Sequence, residues 1–232
     1  MSPSDSLRAL PEPKAVLFDL DGTLVDTVRF RIEAWHEALR RHGVAIDRDG
    51  VARLIGSDGR RLAREASRAA GREFDEAEAT VVDDLSGAIF DRLNAAPAPL
   101  PGASELLSAL ERSRLTFAIA TSSLPGQVMA SVRSLALPAE PPIVDQSHVA
   151  HAKPAPDLLL AAASQLAVAP EGCWYVGDST WDMLASSAAG MIGIGVTTGA
   201  AGAADLGAAG ASATIESMTV LLAELRRRGL TT

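Results

Sequence analysis

Four aspartates stand in two short clusters, and each cluster directly follows a run of apolar residues. Asp19 and Asp21 come after one run, and Asp178 and Asp182 come after another. Carboxylates that lie close together repel one another, and this repulsion is costly unless a cation neutralises it. Carboxylate oxygens are hard ligands of the kind that Mg²⁺ prefers, and Mg²⁺ also takes up phosphate oxygens. The two clusters therefore predict a Mg²⁺ site, provided that the fold brings them together.

Hydroxyl side chains and one lysine add groups that bind a phosphate dianion. Thr121, Ser122 and Ser123 follow a third apolar run, and Lys153 stands alone before two prolines. Together with free backbone N–H groups in the Thr121 loop and at Gly22, these side chains could cradle such an anion. Phosphoryl transfer needs this combination, because a carboxylate attacks, the metal and the lysine hold the equatorial oxygens, and a neighbouring acid serves the leaving oxygen.

Strands that alternate with helices would place these residues at one edge of a sheet. The alternation favours an α/β fold with a parallel sheet covered on both faces, in which ligands bind outside the carboxyl ends of the strands. Strands are predicted at residues 14–19, 115–120, 142–144, 173–176 and 191–196. The helices predicted between and after the later strands are 104–112, 126–136, 156–167, 180–189 and 216–228, and the Ala- and Gly-rich residues 199–213 are predicted as loop and weak helix.

The segment that follows the first strand shows helical patterns only. Three helices are predicted in it, at residues 27–42, 60–70 and 75–93, and a stiff proline-rich connector comes next. Because the first strand precedes this segment and the other strands follow it, the segment is predicted to be an insertion. The predicted boundaries are residues 1–25 and 98–232 for the α/β core and residues 26–97 for this helical insert.

Four segments resemble the signature motifs of the haloacid dehalogenase-like (HAD) hydrolase superfamily, and they occur in the order of that family. They are residues 18–27 (FDLDGTLVDT), 120–123 (ATSS), 153–157 (KPAPD) and 177–182 (GDSTWD). The helical insert resembles the cap of the subfamily that contains phosphoglycolate phosphatases and β-phosphoglucomutases. The resemblance implies a Rossmann-like parallel sheet with an inserted small, all-helical cap domain.

The resemblance also implies a role for each matching residue. Asp19 would be the nucleophile that forms an aspartyl-phosphate, and Asp21 would be the general acid for the leaving alcohol and then the base for water. Mg²⁺ would be held by the Asp19 carboxylate, the Asp21 main-chain carbonyl and Asp178, and Asp182 would support that metal shell. The residues assigned to phosphate binding are Thr121 and Lys153 from the resemblance, with Gly22 and Ser122 from the loop argument.

Departures from the family patterns favour a phosphatase. Dehalogenases lack the second aspartate of the first motif, so Asp21 favours phosphate chemistry over cleavage of a carbon–halogen bond. Mutases carry a histidine ten residues beyond that aspartate, where this chain has Arg31. Phosphoglycolate phosphatases often continue the first motif with Ser-Ala-Pro-Asp, and this chain has TVRF at residues 27–30. The prediction is a phosphatase of a small phosphorylated metabolite, either a phosphosugar or a phosphoglycolate-like ester.

Other functions are weighed against this prediction. A β-phosphoglucomutase-like enzyme would use the same aspartyl-phosphate but needs a second phosphate site. A non-enzymatic phospho-acceptor, like a response-regulator receiver, would use the modified aspartate as a signal, and Asp21 and the insert argue against it. A calcium loop is disfavoured because Leu24 and Phe30 stand where an EF-hand needs Gly and Glu. Charged helix faces are usually solvated, and the arginines of the insert expected to be so are Arg29, Arg31, Arg60 and Arg61.

Composition and charge restrict the partners and the setting. A net charge of −8 disfavours non-specific binding to nucleic acid or to anionic membranes. The apolar runs are far shorter than the roughly 20 residues of a membrane span, and residues 1–13 show no signal-peptide pattern. Cys173 is the single cysteine, which excludes an internal disulfide. These features predict a cytoplasmic monomer or homodimer whose partner is a small molecule.

Overall fold

A parallel sheet forms the centre of the protein, whose computed structural model describes residues 3–232. Among those residues the sheet has six strands in the order β3-β2-β1-β4-β5-β6, so β1 lies between β2 and β4. The α/β fold expected from the sequence is confirmed. The strands are β1 Ala15–Phe18, β2 Thr116–Ala120, β3 Ile143–Val144, β4 Cys173–Gly177, β5 Ile192–Val196 and β6 Ala213–Ile215.

Helices cover both faces of this sheet. Successive residues of β1 point to opposite faces, as a strand requires. Val16 and Phe18 pack against α1, α6, α7 and α11, whereas Ala15 and Leu17 pack against α8 and α9. The helices of the described chain are α1 Pro3–Arg8, α2 Val28–Arg41, α3 Arg48–Ala52, α4 Gly59–Ala69, α5 Glu76–Leu93, α6 Ala103–Glu111, α7 Pro125–Ser134, α8 Asp157–Gln165, α9 Thr180–Ala188, α10 Ala203–Ala208 and α11 Met218–Arg227.

Helices α2 to α5 of the helical insert bury an apolar cluster of their own. Trp35 and Leu39 of α2 pack against Leu62 of α4 and against Val82 and Phe90 of α5. Aspartates begin α4 and α5, since the N-cap side chains accept backbone N–H groups that would otherwise lack partners. The separate cluster makes the insert a packed unit that lies between β1 and β2 in the chain.

Two segments, one at the start and one near the end of the sheet, are more ordered than the sequence indicates. Residues 1–13 hold three prolines among polar residues, a composition that predicts a loose leader. Instead, α1 places the buried Leu7 in the main core, and Arg228 donates to the Leu7 carbonyl at 2.9 Å. The expected loop and weak helix at 199–213 contains the short helix α10, and the edge strand β6 follows. Strand β6 has only three residues in an Ala- and Gly-rich region, so no period-2 pattern is long enough to predict it.

Candidate active site

The carboxyl ends of the two central strands bring the two aspartate clusters together. Because β1 pairs in parallel with β4, Asp19 emerges beside Asp178. Carboxylate oxygens of Asp19, Asp178 and Asp182 all lie within 4.8 Å of one another, and all three side chains are buried. Burial and the neighbouring carboxylates raise the pKa of Asp19 to about 7, against the effect of Lys153, and raise the pKa of Asp178 well above its usual range. This negative charge calls for a cation.

One lysine lies inside the cluster. Lys153 is 1% exposed, and its Nζ donates to Asp19 Oδ1 at 2.5 Å, to Asp182 Oδ1 at 2.7 Å and to the Tyr175 hydroxyl at 2.9 Å. Burial opposes its charge, but Asp182 and Asp19 raise the pKa of Lys153 above its ordinary value. The lysine is therefore charged and offsets part of the repulsion among the three carboxylates.

The hydrogen bonds divide the cluster into oriented and open carboxylates. Asp182 is fixed by a capping box at the start of α9, where its Oδ2 accepts from the Ser179 N–H at 3.0 Å. Its Oδ1 accepts from Lys153 and from Tyr175. In contrast, Asp19 Oδ2 and Asp178 Oδ2 accept no hydrogen bond from the residues that the structure describes. Asp182 therefore orients its neighbours, and the open oxygens are those of Asp19 and Asp178.

The space around Asp178 fits a metal ligand. Its Oδ1 accepts from Thr23 at 3.1 Å, which fixes the carboxylate. A Cβ on Gly199 would lie 1.6 Å from Asp178 Oδ2, and one on Gly22 would lie 2.5 Å from the same atom. The two glycines thus leave room for this carboxylate at the strand ends. Two open, buried carboxylate oxygens beside one lysine can hold a divalent cation.

Asp21 lies at the border between the sheet and the helical insert. Its Oδ1 accepts from the Thr27 hydroxyl at 2.6 Å, and its Oδ2 accepts from Arg31 Nη2 at 2.9 Å and from the Ser123 hydroxyl. Burial favours the neutral acid, but Arg31 and the hydrogen bonds from Ser123 and Thr27 outweigh it and lower the pKa of Asp21 below its ordinary value. The side chain of Asp21 therefore makes none of its hydrogen bonds with the Lys153 cluster and contacts the insert through Arg31.

A cavity of about 370 Å³ joins these groups to the insert. Asp19, Asp21, Lys153, Thr121 and Ser122 line its floor. Ser122 Oγ is buried, and it has no hydrogen-bond partner among the described residues. The roof consists of residues from α2, the 55–59 loop, α4 and α5.

The role expected of Gly22 is not supported by its contacts. Its N–H donates to the Val25 carbonyl at 2.8 Å, so this group is not free to bind phosphate. Gly22 instead has φ of +82°, a conformation that L side chains rarely adopt, and a Cβ there would lie 2.5 Å from Val28 and from Asp178. A glycine is required at this position because the Asp178 side chain approaches the backbone too closely for a Cβ.

Residues 16–196, which are more than half of the chain, match the family pattern described as "haloacid dehalogenase-like hydrolase". The chain belongs to this family. The resemblance of the four motifs is thereby confirmed, and in this HAD chain all four motifs contribute residues to the cavity or to the cluster beneath it.

Relatives of known name share most of the length of this HAD chain. Hexitol phosphatase A of Escherichia coli is 33% identical over 177 residues, covering 76% of this chain and 80% of that protein. Beta-phosphoglucomutase of Bacillus subtilis is 32% identical over 197 residues, covering 80% and 84%. The crystal structure of a hydrolase from Pseudomonas syringae superposes with a TM-score of 0.87 at 33% identity, covering 92% of this chain and 98% of that one.

Two residues of the HAD site were missed by the sequence argument. Arg31 was expected to be solvated, but its side chain is only 15% exposed and stacks 3.6 Å from the Phe90 ring while it contacts Asp21. Tyr175 lies in the buried strand β4, where it reads as one more apolar position, yet its hydroxyl joins Lys153 to Asp182. The signal for Arg31 was its position ten residues beyond Asp21, where mutases have a functional histidine.

The remaining insert arginines contact other groups. Arg29 and Arg60 form exposed ion pairs within the insert, as expected of solvated charges. Arg61 stacks over the Trp181 ring at 4.7 Å and so contacts the α/β core. Across residues 3–232, every helix falls short of the length and apolar character needed to cross a membrane.

Proposed function

We propose that this chain is a Mg²⁺-dependent phosphatase that hydrolyses a small phosphorylated metabolite through an aspartyl-phosphate on Asp19. The observation that carries this proposal is the open Oδ2 of a buried Asp19, held beside Lys153 on the floor of the cavity. The similarity of this chain to a hexitol phosphatase supports a phosphosugar or a related phosphomonoester as the substrate class.

The first step transfers the phosphoryl group to the protein. Asp19 Oδ2 attacks phosphorus, the bond from phosphorus to the ester oxygen breaks, and the neutral acid form of Asp21 gives its proton to that oxygen so that an alcohol leaves. Arg31, Ser123 and Thr27 lower the pKa of Asp21, so this step uses the minor, protonated form of the side chain. Lys153 and the hydroxyls of Thr121 and Ser122 bind the equatorial oxygens. Asp19, Asp178 and the Asp21 carbonyl would hold Mg²⁺, with Asp182 in support, and the bound ion would supply positive charge that offsets the charge of the phosphate.

The second step returns the protein to its starting state. Asp21, now ionised, removes a proton from a water molecule, and the water oxygen attacks the phosphorus of the aspartyl-phosphate. The bond between phosphorus and Asp19 breaks, which releases inorganic phosphate. The contacts that Thr27, Ser123 and Arg31 make with Asp21 support this basic role, because they favour the carboxylate.

The domain division fits this chemistry. We propose that residues 26–97 form a cap domain that encloses the leaving group and excludes bulk water, and that residues 1–25 and 98–232 perform the reaction. The separate apolar cluster of the insert supports this division. The cytoplasmic setting and the monomeric or homodimeric state stay predictions.

The alternatives are a phosphomutase and a phospho-acceptor. The similarity to beta-phosphoglucomutase favours the first, but Arg31 occupies the place of the mutase histidine and is already paired with Asp21. A phospho-acceptor would keep its phosphoryl group, whereas in this site Asp21 is placed to activate the water that removes it.

The test is release of inorganic phosphate from a panel of phosphorylated sugars, acids and nucleotides, with and without Mg²⁺. We expect release by the wild type only when Mg²⁺ is present, and none by Asp19→Asn. Transfer to a second sugar from a sugar bisphosphate would favour the mutase. A long-lived phosphoprotein without turnover would favour the phospho-acceptor.

A further inference from the structure

The cations that line the cavity are both engaged by carboxylates. Among the described residues these cations are Arg31 and Lys153. Lys153 pairs with Asp19 and Asp182, and Arg31 pairs with Asp21 at 2.9 Å. Two further bonds, to Gln127 and Ser123, and the stacking on Phe90 hold the Arg31 guanidinium in that position. Neither cation is therefore available to a second anionic group of a substrate.

The roof of the cavity adds negative charge. Asp83, Asp84 and Asp91 of α5 all line it, and none of them forms a hydrogen bond or ion pair with another residue that the structure describes. Asp83 lies against the start of α4, where a Cβ on Gly59 would be 2.1 Å from its Oδ1. Burial and repulsion by Asp58 and Asp84 raise the pKa of Asp83 to about 6 against the attraction of Arg60 and Arg31, so additional negative charge is unfavourable at this site.

These two observations restrict the alcohol portion of the substrate. We propose that it carries no second anionic group, so that the enzyme takes the phosphate ester of a neutral or amine-bearing polyol and rejects bisphosphates and phosphorylated carboxylic acids. This inference rests on the proposed function, because it assumes that the phosphate binds at Asp19 and that the alcohol points to the roof.

The physical reason is uncompensated repulsion. The transferring phosphate uses Lys153 and the metal, so a second carboxylate or phosphate would face the α5 carboxylates with both cations engaged. A hydroxyl in the same place can donate a hydrogen bond to a carboxylate, and an ammonium group gains attraction as well. Gln127 and Gln146 also line the cavity and offer uncharged polar groups.

The experiment compares substrates that differ only in one charged group. Sorbitol 6-phosphate and 6-phosphogluconate differ by CH₂OH against a carboxylate at one carbon, and glycerol 3-phosphate and 3-phosphoglycerate form a shorter pair of the same kind. Hydrolysis of p-nitrophenyl phosphate with Mg²⁺ tests the floor independently. Each compound is measured as a substrate by kcat/KM and as a competitive inhibitor of p-nitrophenyl phosphate hydrolysis.

We expect the wild type to prefer the neutral member of a pair by at least about tenfold, as repulsion by several nearby carboxylates implies. The variant Asp83→Asn/Asp84→Asn/Asp91→Asn should lose most of that preference, on the order of threefold for each charge removed. If this triple variant does not fold, Asp84→Asn/Asp91→Asn changes only exposed side chains and should lose part of it. Glu73→Gln removes an exposed charge elsewhere in the insert and should retain the full preference.

The outcomes separate the two proposals. Equal responses to the two members of both pairs, a preference for the anionic member, or a preference that the α5 variants leave unchanged would overturn the inference alone. A wild type that does not hydrolyse p-nitrophenyl phosphate in Mg²⁺ would overturn the proposed function and the inference with it.

Discussion

Arg31 Nη2 lies 2.9 Å from Asp21 Oδ2, so a helix of the insert directly contacts the proposed acid and base of the sheet edge. The same guanidinium donates to Gln127 Oε1 of α7 at 2.8 Å. A second side-chain hydrogen bond joins the core to the insert, because Gln146 of the core donates to Asp58 of the insert at 2.8 Å. Arg31 therefore couples the position of the insert to the position of Asp21.

Replacing Arg31 by methionine should lower kcat/KM by roughly tenfold to a hundredfold, because a small displacement of a catalytic group has effects of this size. Loss of the guanidinium also removes the charge that lowers the pKa of Asp21, so the limb of the pH–rate profile that reports Asp21 should move to higher pH. Arg29→Met is the matched control, since Arg29 is exposed, pairs with Asp26, stacks on Phe30 and does not line the cavity. An unchanged rate and profile in Arg31→Met would contradict the coupling.

Removal of the Tyr175 hydroxyl should impair catalysis without unfolding the protein. In Tyr175→Phe, Lys153 and Asp182 lose the partner that they share, and we expect kcat/KM to fall on the order of tenfold while stability falls by about 1 kcal/mol. Trp174→Phe is the control on the same strand, because it loses a hydrogen bond to the Pro11 carbonyl and some buried aromatic volume at a residue that does not line the cavity. Steady-state kinetics and thermal unfolding of both variants distinguish the effects, and similar kinetic losses in both would count against a specific role for Tyr175.

Gly199→Ala should weaken Mg²⁺ binding. The added Cβ would lie 1.6 Å from Asp178 Oδ2, so the carboxylate must move from its place between Gly199 and Thr23. We expect the metal affinity to fall on the order of tenfold, as when the support of a metal ligand is lost. Gly207→Ala adds the same methyl group where nothing lies within 4 Å. Calorimetric titration with Mg²⁺ measures the affinity, and equal affinities in the two variants would refute this account of Asp178.

The stability of the protein should depend on pH through Asp83. Its pKa is about 6 in the folded protein against an ordinary 3.8, mainly because of burial. Between these values the folded state binds more protons than the unfolded state, so this contribution lowers stability as pH rises through the window and is complete above pH 6. Asp83→Asn should therefore be more stable than the wild type by on the order of 1–2 kcal/mol at neutral pH.

The difference should shrink toward zero as the pH approaches the ordinary pKa of the carboxyl. Urea unfolding of both proteins at several pH values measures it, and the subtraction removes the titration of groups that the two proteins share. A gain of the same size at all pH values would show that packing, rather than charge, is responsible.

The sequence was sufficient for the parts that local patterns determine. Asp19 and Asp178 could be placed together because each follows a buried strand, and strands that end at one edge of a parallel sheet share a site. Arg31 and Tyr175 could not be placed, because their roles depend on which way a side chain points after the insert packs on the core. The sequence predicts a free N–H at Gly22, but this group donates to the Val25 carbonyl in a turn that has no unambiguous sequence signal.

The position of β1 affects how the chain is made as well as how it works. This strand is the first of the sheet to be synthesised, yet it ends up between β2 and β4, and β2 begins only at Thr116. Its four buried apolar residues must stay unpaired while the whole insert emerges. An insert with its own apolar cluster can fold during that interval. A destabilised insert should therefore leave its own apolar residues exposed beside the unpaired β1 on the nascent chain, which favours aggregation.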